Sequence, residues 1–105
     1  MVDYSFEWNA QRCCFEEKDY YHYGDWYRYK EYDTERRCIL SALYTIEENL
    51  PDADSDGLHK TEFEYNHKGE GVFEVVERYY DVEDVPCGWR GAGSYHKEIM
   101  VVDSA

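Results

Sequence analysis

The sequence predicts an α+β fold, in which one main α-helix packs on a face of an antiparallel β-sheet of about four to five strands. Three observations predict it. Apolar side chains recur at helical spacing over residues 34–50, apolar and polar side chains alternate in flanking segments, and a loop rich in glycine precedes the last strand. A chain of 105 residues suits a single domain spanning 1–105.

The first two predicted strands form a hairpin at the N-terminus. Residues 2–8 alternate, with Tyr4, Phe6 and Trp8 pointing one way and polar side chains the other, as in a half-buried strand. After a short turn, residues 13–17 are predicted to return as the partner strand.

Residues 19–32 hold seven aromatic side chains in fourteen positions and allow two interpretations. In one, Asp25 caps a helix that runs from 26 to 49. In the other, the segment is extended, as short strands or an aromatic loop. The alternation of Tyr27 and Tyr29 with basic residues favours the extended form, because tyrosine is a good strand residue.

The main helix is predicted over residues 34–50. Asp33 or Thr34 can cap its first turn, and Pro51 ends it, because the residue before a proline is biased out of the helical region. The apolar face of this helix would consist of side chains three and four positions apart, namely Ile39, Ala42, Leu43, Ile46 and Leu50.

The second half of the chain reads as three more strands. Residues 61–66 and 72–80 alternate on either side of a glycine-bearing turn at 67–71. A proline and several glycines make 81–93 a loop. The last strand is predicted over 94–102.

The charge of the chain restricts its partners. Twenty-four acidic residues face eleven basic ones, which gives a formal net charge of −13. Direct binding to nucleic acid or to an anionic membrane surface would need a basic footprint, so the charge favours a basic protein partner. No apolar run approaches a membrane span, and the N-terminus lacks a signal core, so we expect a cytoplasmic protein.

No stretch carries a catalytic or cofactor signature. The four cysteines, Cys13, Cys14, Cys38 and Cys87, lack zinc-ligand spacing and are expected to be reduced. Cys87 lies in the loop that contains proline and glycine, and His96 is nearby in sequence, but acidic neighbours oppose formation of a thiolate. The sequence therefore predicts a protein that is not an enzyme and has no cofactor.

The acidic loop after the predicted helix resembles the opening of an EF-hand calcium loop over six residues. Asp52, Asp54 and Asp56 alternate and are followed by glycine, so that their carboxylates could converge on a hard cation. The twelfth position departs from that pattern, because it is Phe63, with Glu62 one place early. A small calcium- or magnesium-binding module is thus the alternative function, and a turn-forming loop is the simpler interpretation.

The favoured function follows from the spacing of carboxylates on a small domain, which can imitate a phosphate backbone. In size and character the chain resembles the small acidic inhibitors that phages use against restriction or CRISPR enzymes; the resemblance is compositional and involves no shared motif. It implies a non-enzymatic binder that blocks a basic nucleic-acid-handling protein in the host cytoplasm. The candidate contacts are the acidic Glu47, Glu48, Asp52, Asp54, Asp56, Glu62 and Glu64, with Trp26, Tyr27 and Tyr29 as aromatic anchors.

Overall fold

A computed structural model describes residues 3–89 and 93–101, and the regular structure in these ranges is entirely β. The eight strands are β1 (Tyr4–Asn9), β2 (Cys14–Tyr21), β3 (Trp26–Tyr32), β4 (Cys38–Thr45), β5 (Pro51–Asp52), β6 (Lys60–Gly69), β7 (Val72–Tyr80) and β8 (Tyr95–Val101). They form one antiparallel sheet in the order β1-β2-β3-β4-β6-β7-β8, and β5 is a short strand that pairs with β4. Nearly every strand therefore lies beside its neighbour in sequence, as in a meander.

The predicted α+β class and its four to five strands are wrong, because residues 34–50 contain strand β4 and no helix. Strand β4 lies at the centre of the sheet and is buried on both faces. Ala42 and Leu43 are consecutive and point to opposite faces, yet they are only 1% and 7% exposed. A strand buried on both sides carries a continuous apolar run, which periodicity alone cannot separate from a helix. The helix alternative for 26–49 is wrong for the same reason.

The predicted strands are confirmed in position but not in their bounds, because Asp3, Cys13 and Ser94 lie outside the strands and β6 runs to Gly69, into the turn predicted over 67–71. The N-terminal hairpin forms from β1 and β2, although β2 runs on to Tyr21. Residues 19–32 take the extended alternative, as the end of β2, a turn and strand β3. The later strands appear as β6, β7 and β8; residues 2, 90–92 and 102 of these predicted segments lie outside the described part.

The sheet has two faces that differ in character. The aromatic face, as we name it, carries the rings of β1, of every second residue in β2 and β3, and of the odd-numbered positions in β6 and β7. The opposite face carries tyrosines interleaved with carboxylates. The rings of the aromatic face are Tyr4, Phe6, Trp8, Phe15, Tyr21, Trp26, Tyr32, Phe63, Tyr65, Phe73 and Tyr79.

The core is thin and is concentrated at the centre of the sheet. Val75 and Val76 are consecutive in β7 and both buried, so β7, like β4, is covered on both sides. The radius of gyration is 15.1 Å, against about 13 Å for a compact domain of this length. Cover on the aromatic face includes Arg36, whose guanidinium lies over the rings of Phe6 and Phe15, and Arg37, over Tyr65 and Phe73.

In the path of the sheet, the two outermost strands are β1 and β8, and each pairs on one side only. Every residue of β8 is exposed. The described residues include no helix long and apolar enough to cross a membrane.

Candidate binding surface

The loops at the two ends of the strands differ sharply in charge. In an antiparallel meander, alternate connections fall at the same end of the sheet. Within the described residues, one end gathers loops 22–25, 46–50, 53–59 and 81–89, which contain eight Asp or Glu residues and no Lys or Arg; Arg90, in the same β7–β8 connection, lies outside the described residues. The other gathers 10–13, 33–37 and 70–71, with three acidic and three basic residues. We name the first the acidic end; its loop carboxylates are Asp25, Glu47, Glu48, Asp54, Asp56, Asp81, Glu83 and Asp84.

Few of these negative charges are neutralised. Within the described residues, the only ion pair of a loop carboxylate at the acidic end joins Asp84 to Lys60, with 2.6 Å between Oδ1 and Nζ. Asp52, in strand β5, lies beside these loops and also has no ion pair in the same part of the chain. The turn that carries Asp25 is held against the acidic loop 46–50, because the backbone N–H of Ile46 donates to the carbonyl of Asp25 at 3.0 Å.

Three loops are built on the same aspartate-anchored turn. In each, the carboxylate of the first residue accepts the backbone N–H of the third and fifth residues, at 2.9 to 3.1 Å. The fourth residue has a positive φ, of 63°, 83° and 63° in chain order. The three turns span 33–37, 54–58 and 81–85, and only the second has a glycine at the left-handed position, Gly57.

This turn accounts for the loop that resembles an EF-hand opening. The carboxylate of Asp54 is occupied by two backbone donors, and that of Asp52 accepts the N–H of Ala53 at 2.9 Å. Among the described residues, the carboxylates of Asp52, Asp54 and Asp56 are not a group of three potential ligands close enough to share an ion. Strand β6, not a second helix, follows the loop.

Trp26 lies at the acidic end, on the aromatic face, where it lines a cavity of about 270 Å³. Its indole stacks on Tyr21, with 4.2 Å between ring centroids and 19° between planes. Leu43 supplies an apolar wall, and Asp52 and Asp54 place carboxylates at the same cavity. An indole face beside two carboxylates is suited to an alkylammonium or guanidinium group, through cation–π contact and charge pairing.

Arg28 also lines this cavity and contributes a positive charge to it. Its Nη1 donates to the hydroxyl of Ser41 at 3.1 Å.

Tyr27 and Tyr29 lie on the opposite face and not beside Trp26. Tyr27 is 8% exposed, packs its ring against Tyr20 and Tyr44, and donates its hydroxyl to the side-chain oxygen of Asn49. The hydroxyl of Tyr29 lies between two carboxylates, those of Glu16 and Glu31. Both tyrosines thus hold the sheet together and offer little surface to a partner.

The polar cluster around Tyr29 is internally satisfied. Burial, reinforced by the two carboxylates, holds the pKa of Tyr29 well above 10.0. The hydrogen bond from Tyr29 lowers the pKa of Glu16. Glu31, only 4% exposed, is balanced by Arg12, with 2.8 Å between Oε2 and Nη2. This arrangement fixes strands β2 and β3 to each other.

Glu62 and Glu64 lie in β6 on the opposite face, and Glu62 is paired with Leu40 of β4. Glu62 is two residues from the start of β6 and adjoins the acidic end, because Lys60 pairs with both Glu62, at 3.7 Å, and Asp84, at 2.6 Å. Glu64 lies two residues further along the strand and has Arg78 as a cationic neighbour at 3.6 Å.

The structure therefore brings together Glu47, Glu48, Asp52, Asp54, Asp56 and Trp26 of the predicted contacts, with Glu62 at the border of this group. Sequence reasoning missed Asp25, Asp81, Glu83 and Asp84, which are distant in sequence and meet because their loops fall at the same end. A signal was present: the spacing of the turn at 81–85 repeats that of 54–58, with acidic residues at the first and third positions.

Comparison with protein-family models, curated proteins and solved structures found no match to this chain.

Proposed function

We propose that this protein is a non-enzymatic binding protein whose acidic end occupies a basic surface of a nucleic-acid-handling protein, in the place of nucleic acid. The observation that supports the proposal is the segregation of charge between the two ends of the sheet. Acidic residues that served only solubility could be spread over the whole surface. Instead, eight loop carboxylates lie at one end, whereas the loops of the other end carry equal numbers of acidic and basic residues.

The density of charge at the acidic end approaches that of a duplex. Its loops connect six adjacent strands in the path of the sheet, which at ~4.8 Å spacing extend over about 24 Å. A DNA double helix carries about 14 phosphate charges over that length. Eight loop carboxylates, with Asp52 beside them, are of the same order. A groove that binds a phosphate backbone would therefore meet a comparable potential.

The cavity at Trp26 gives such a complex an apolar anchor. Charge alone speeds and orients association, whereas most of the affinity in an interface comes from a few well-packed contacts. A lysine or arginine of the partner can place its aliphatic stem against Leu43 and its cationic group between Trp26 and the carboxylates of Asp52 and Asp54.

The cysteines support a role without catalysis. Burial raises the pKa of the Cys87 thiol, and Asp81 and Asp54 raise it further, which is the reverse of what a nucleophilic cysteine requires. Burial also raises the pKa of Cys14 and of Cys38. In this proposal the protein acts in the cytoplasm, where its thiols remain reduced.

The test compares two variants that lose the same number of charges. One replaces Glu47 and Glu48 by Gln and Asp54 and Asp56 by Asn, which keeps the acceptor oxygen of each side chain. The control replaces four exposed glutamates away from the acidic end by Gln, namely Glu7, Glu35, Glu64 and Glu70. Both variants and the unmodified protein are used to capture partners from a host lysate at low salt, and each captured protein is then titrated with duplex DNA and with RNA.

We expect the unmodified protein and the control to retain a basic nucleic-acid-binding protein that salt and nucleic acid both release. The acidic-end variant should bind it about tenfold more weakly or worse, since exposed ion pairs contribute about 0.2–1 kcal/mol each. Equal loss in both four-charge variants would contradict the role of the acidic end. A partner that binds nucleic acid and this protein at the same time would contradict mimicry.

A further inference from the structure

A second cluster of chemistry-bearing side chains lies on strands β7 and β8, outside the acidic loops but near the acidic ends of both strands. Glu77 and His96 are direct cross-strand partners, and Glu98 lies two residues further along β8 on the same face. One potential ligand atom of each residue lies within 4.8 Å of those of the other two. The function proposed for the acidic end does not use these residues.

The donor set is one imidazole nitrogen and two carboxylate oxygens. This combination suits a borderline divalent ion such as Zn²⁺, because hard Ca²⁺ and Mg²⁺ take oxygen ligands and soft ions prefer thiolates. Two carboxylates placed this close repel each other, and none of the three side chains has an ion pair with a Lys or Arg in the described part of the chain. A divalent cation would remove that repulsion.

We propose that Glu77, His96 and Glu98 bind a zinc-class divalent metal ion across the β7–β8 pair. Tetrahedral zinc with bonds of ~2.0–2.2 Å holds its ligand atoms about 3.3 Å apart. The three atoms therefore need to close by at most about 1.5 Å, starting from their limit of 4.8 Å. His96 and Glu98 are exposed and can move by that much through small changes of rotamer. Water would fill the remaining coordination position.

The location gives the site a structural consequence. Every residue of strand β8 is exposed, and the strand pairs only with β7 in the path of the sheet. A metal ion bound by His96 and Glu98 of β8 and by Glu77 of β7 would link the two strands in addition to their backbone hydrogen bonds. Metal binding would then stabilise β8 against local opening, through the linkage of ligand binding to the closed state.

The experiment is a calorimetric titration with Zn²⁺ of the full chain and of three variants, His96→Ala, Glu77→Gln and His67→Ala. His67 is the matched control, because it is exposed on the same face, packs edge-on against Phe73 and does not belong to the cluster. We expect His96→Ala and Glu77→Gln each to weaken zinc binding more than tenfold. Even the loss of a residue that only hydrogen-bonds to a metal ligand lowers metal affinity by about 10–100-fold. His67→Ala should bind as the unmodified chain does.

Two further readouts separate this site from the cysteines and from the aspartate loop. Co²⁺ bound at the cluster should give a spectrum without a thiolate charge-transfer band. Zn²⁺ should slow amide hydrogen exchange in β8, and this protection should be absent in His96→Ala. The proposal is overturned if the unmodified chain shows no heat at submillimolar zinc, or if His96→Ala binds zinc as tightly as the unmodified chain. Cobalt bound through sulfur alone would also overturn it.

Discussion

The aspartate-anchored turn at 81–85 allows a stability prediction that separates hydrogen bonding from charge. The carboxylate of Asp81 accepts the N–H of Glu83 at 2.9 Å and of Val85 at 3.0 Å. The carboxylate of Glu83, in the same turn, is exposed and makes no hydrogen bond or ion pair in the described structure. The two residues therefore carry the same charge in the same loop, but only Asp81 accepts hydrogen bonds from the backbone.

Asp81→Ala removes both hydrogen bonds and should lower the free energy of unfolding by about 1–2 kcal/mol, as loss of a helix cap of similar geometry does. For a domain of this size that corresponds to a fall in Tm of about 4–16 °C. Asp81→Asn keeps an acceptor oxygen at the same position and should lie within about 0.5 kcal/mol of the unmodified protein.

The assay is urea unfolding followed by far-ultraviolet circular dichroism, with Glu83→Ala and Glu83→Gln as controls that remove the same charge. Both controls should lie within about 0.5 kcal/mol of the unmodified protein. If Asp81→Ala matched Glu83→Ala, the hydrogen bonds would contribute nothing measurable. If Asp81→Asn were as destabilised as Asp81→Ala, the charge and not the acceptor would be responsible.

Three further predictions concern pH, salt and the Trp26 cavity. Burial raises the pKa of Tyr29 and Tyr32 above 10.0 in the folded protein. Their contribution to stability is therefore complete below pH 10 and is lost as the pH rises, because the unfolded chain ionises first. Tyr29→Phe should make the loss of stability at alkaline pH less steep, as followed by phenolate absorbance and circular dichroism. Added NaCl should raise the free energy of unfolding, because it screens the repulsion at the acidic end. The four-residue acidic-end variant should show a weaker dependence of this free energy on salt than its charge-matched control. An identical salt dependence would mean that the repulsion is spread over the whole chain. In Gly24→Ala, the new methyl group would lie 2.5 Å from Cδ1 and Nε1 of Trp26, so the indole must leave its stack on Tyr21; a shift in tryptophan emission checks this, and an unchanged spectrum would contradict the close approach.

The strands were readable from the sequence where one face is wet, because alternation then survives. Strand β1 and strand β3 show it in their residue types, because Tyr4, Phe6 and Trp8 lie on one side of β1, and Tyr27 and Tyr29 alternate with basic residues in β3. Strand β4 was misread because it is buried on both sides, so Ala42 and Leu43 carry no alternation, and the spacing of its apolar residues coincides with a helical stripe. The helix predicted over Cys38–Thr45 is therefore wrong because this segment is the central strand of the sheet, where both of its sides are covered.

The candidate surface was predictable in part. The local run from Glu47 to Asp56 was visible, because its residues are neighbours in the chain. Asp25 and Asp81 join it only through the antiparallel order of strands, which places alternate loops at one end. The contact of Tyr29 with Glu16 depends on the register of β2 and β3, and a shift of one residue would have sent that hydroxyl to the other face.

The open edges of the sheet, strands β1 and β8, favour association between copies of the chain, which its negative charge opposes. Strand β1 displays Tyr4, Phe6 and Trp8 at the rim, with between 37% and 54% of each side chain exposed. Such a rim is a template on which other chains can add strands and grow into fibrils. Mutual repulsion between chains of net charge −13 opposes that growth. Acidification that protonates the carboxylates would remove this protection, so the charge that we assign to partner recognition also keeps a sheet with two open edges in solution.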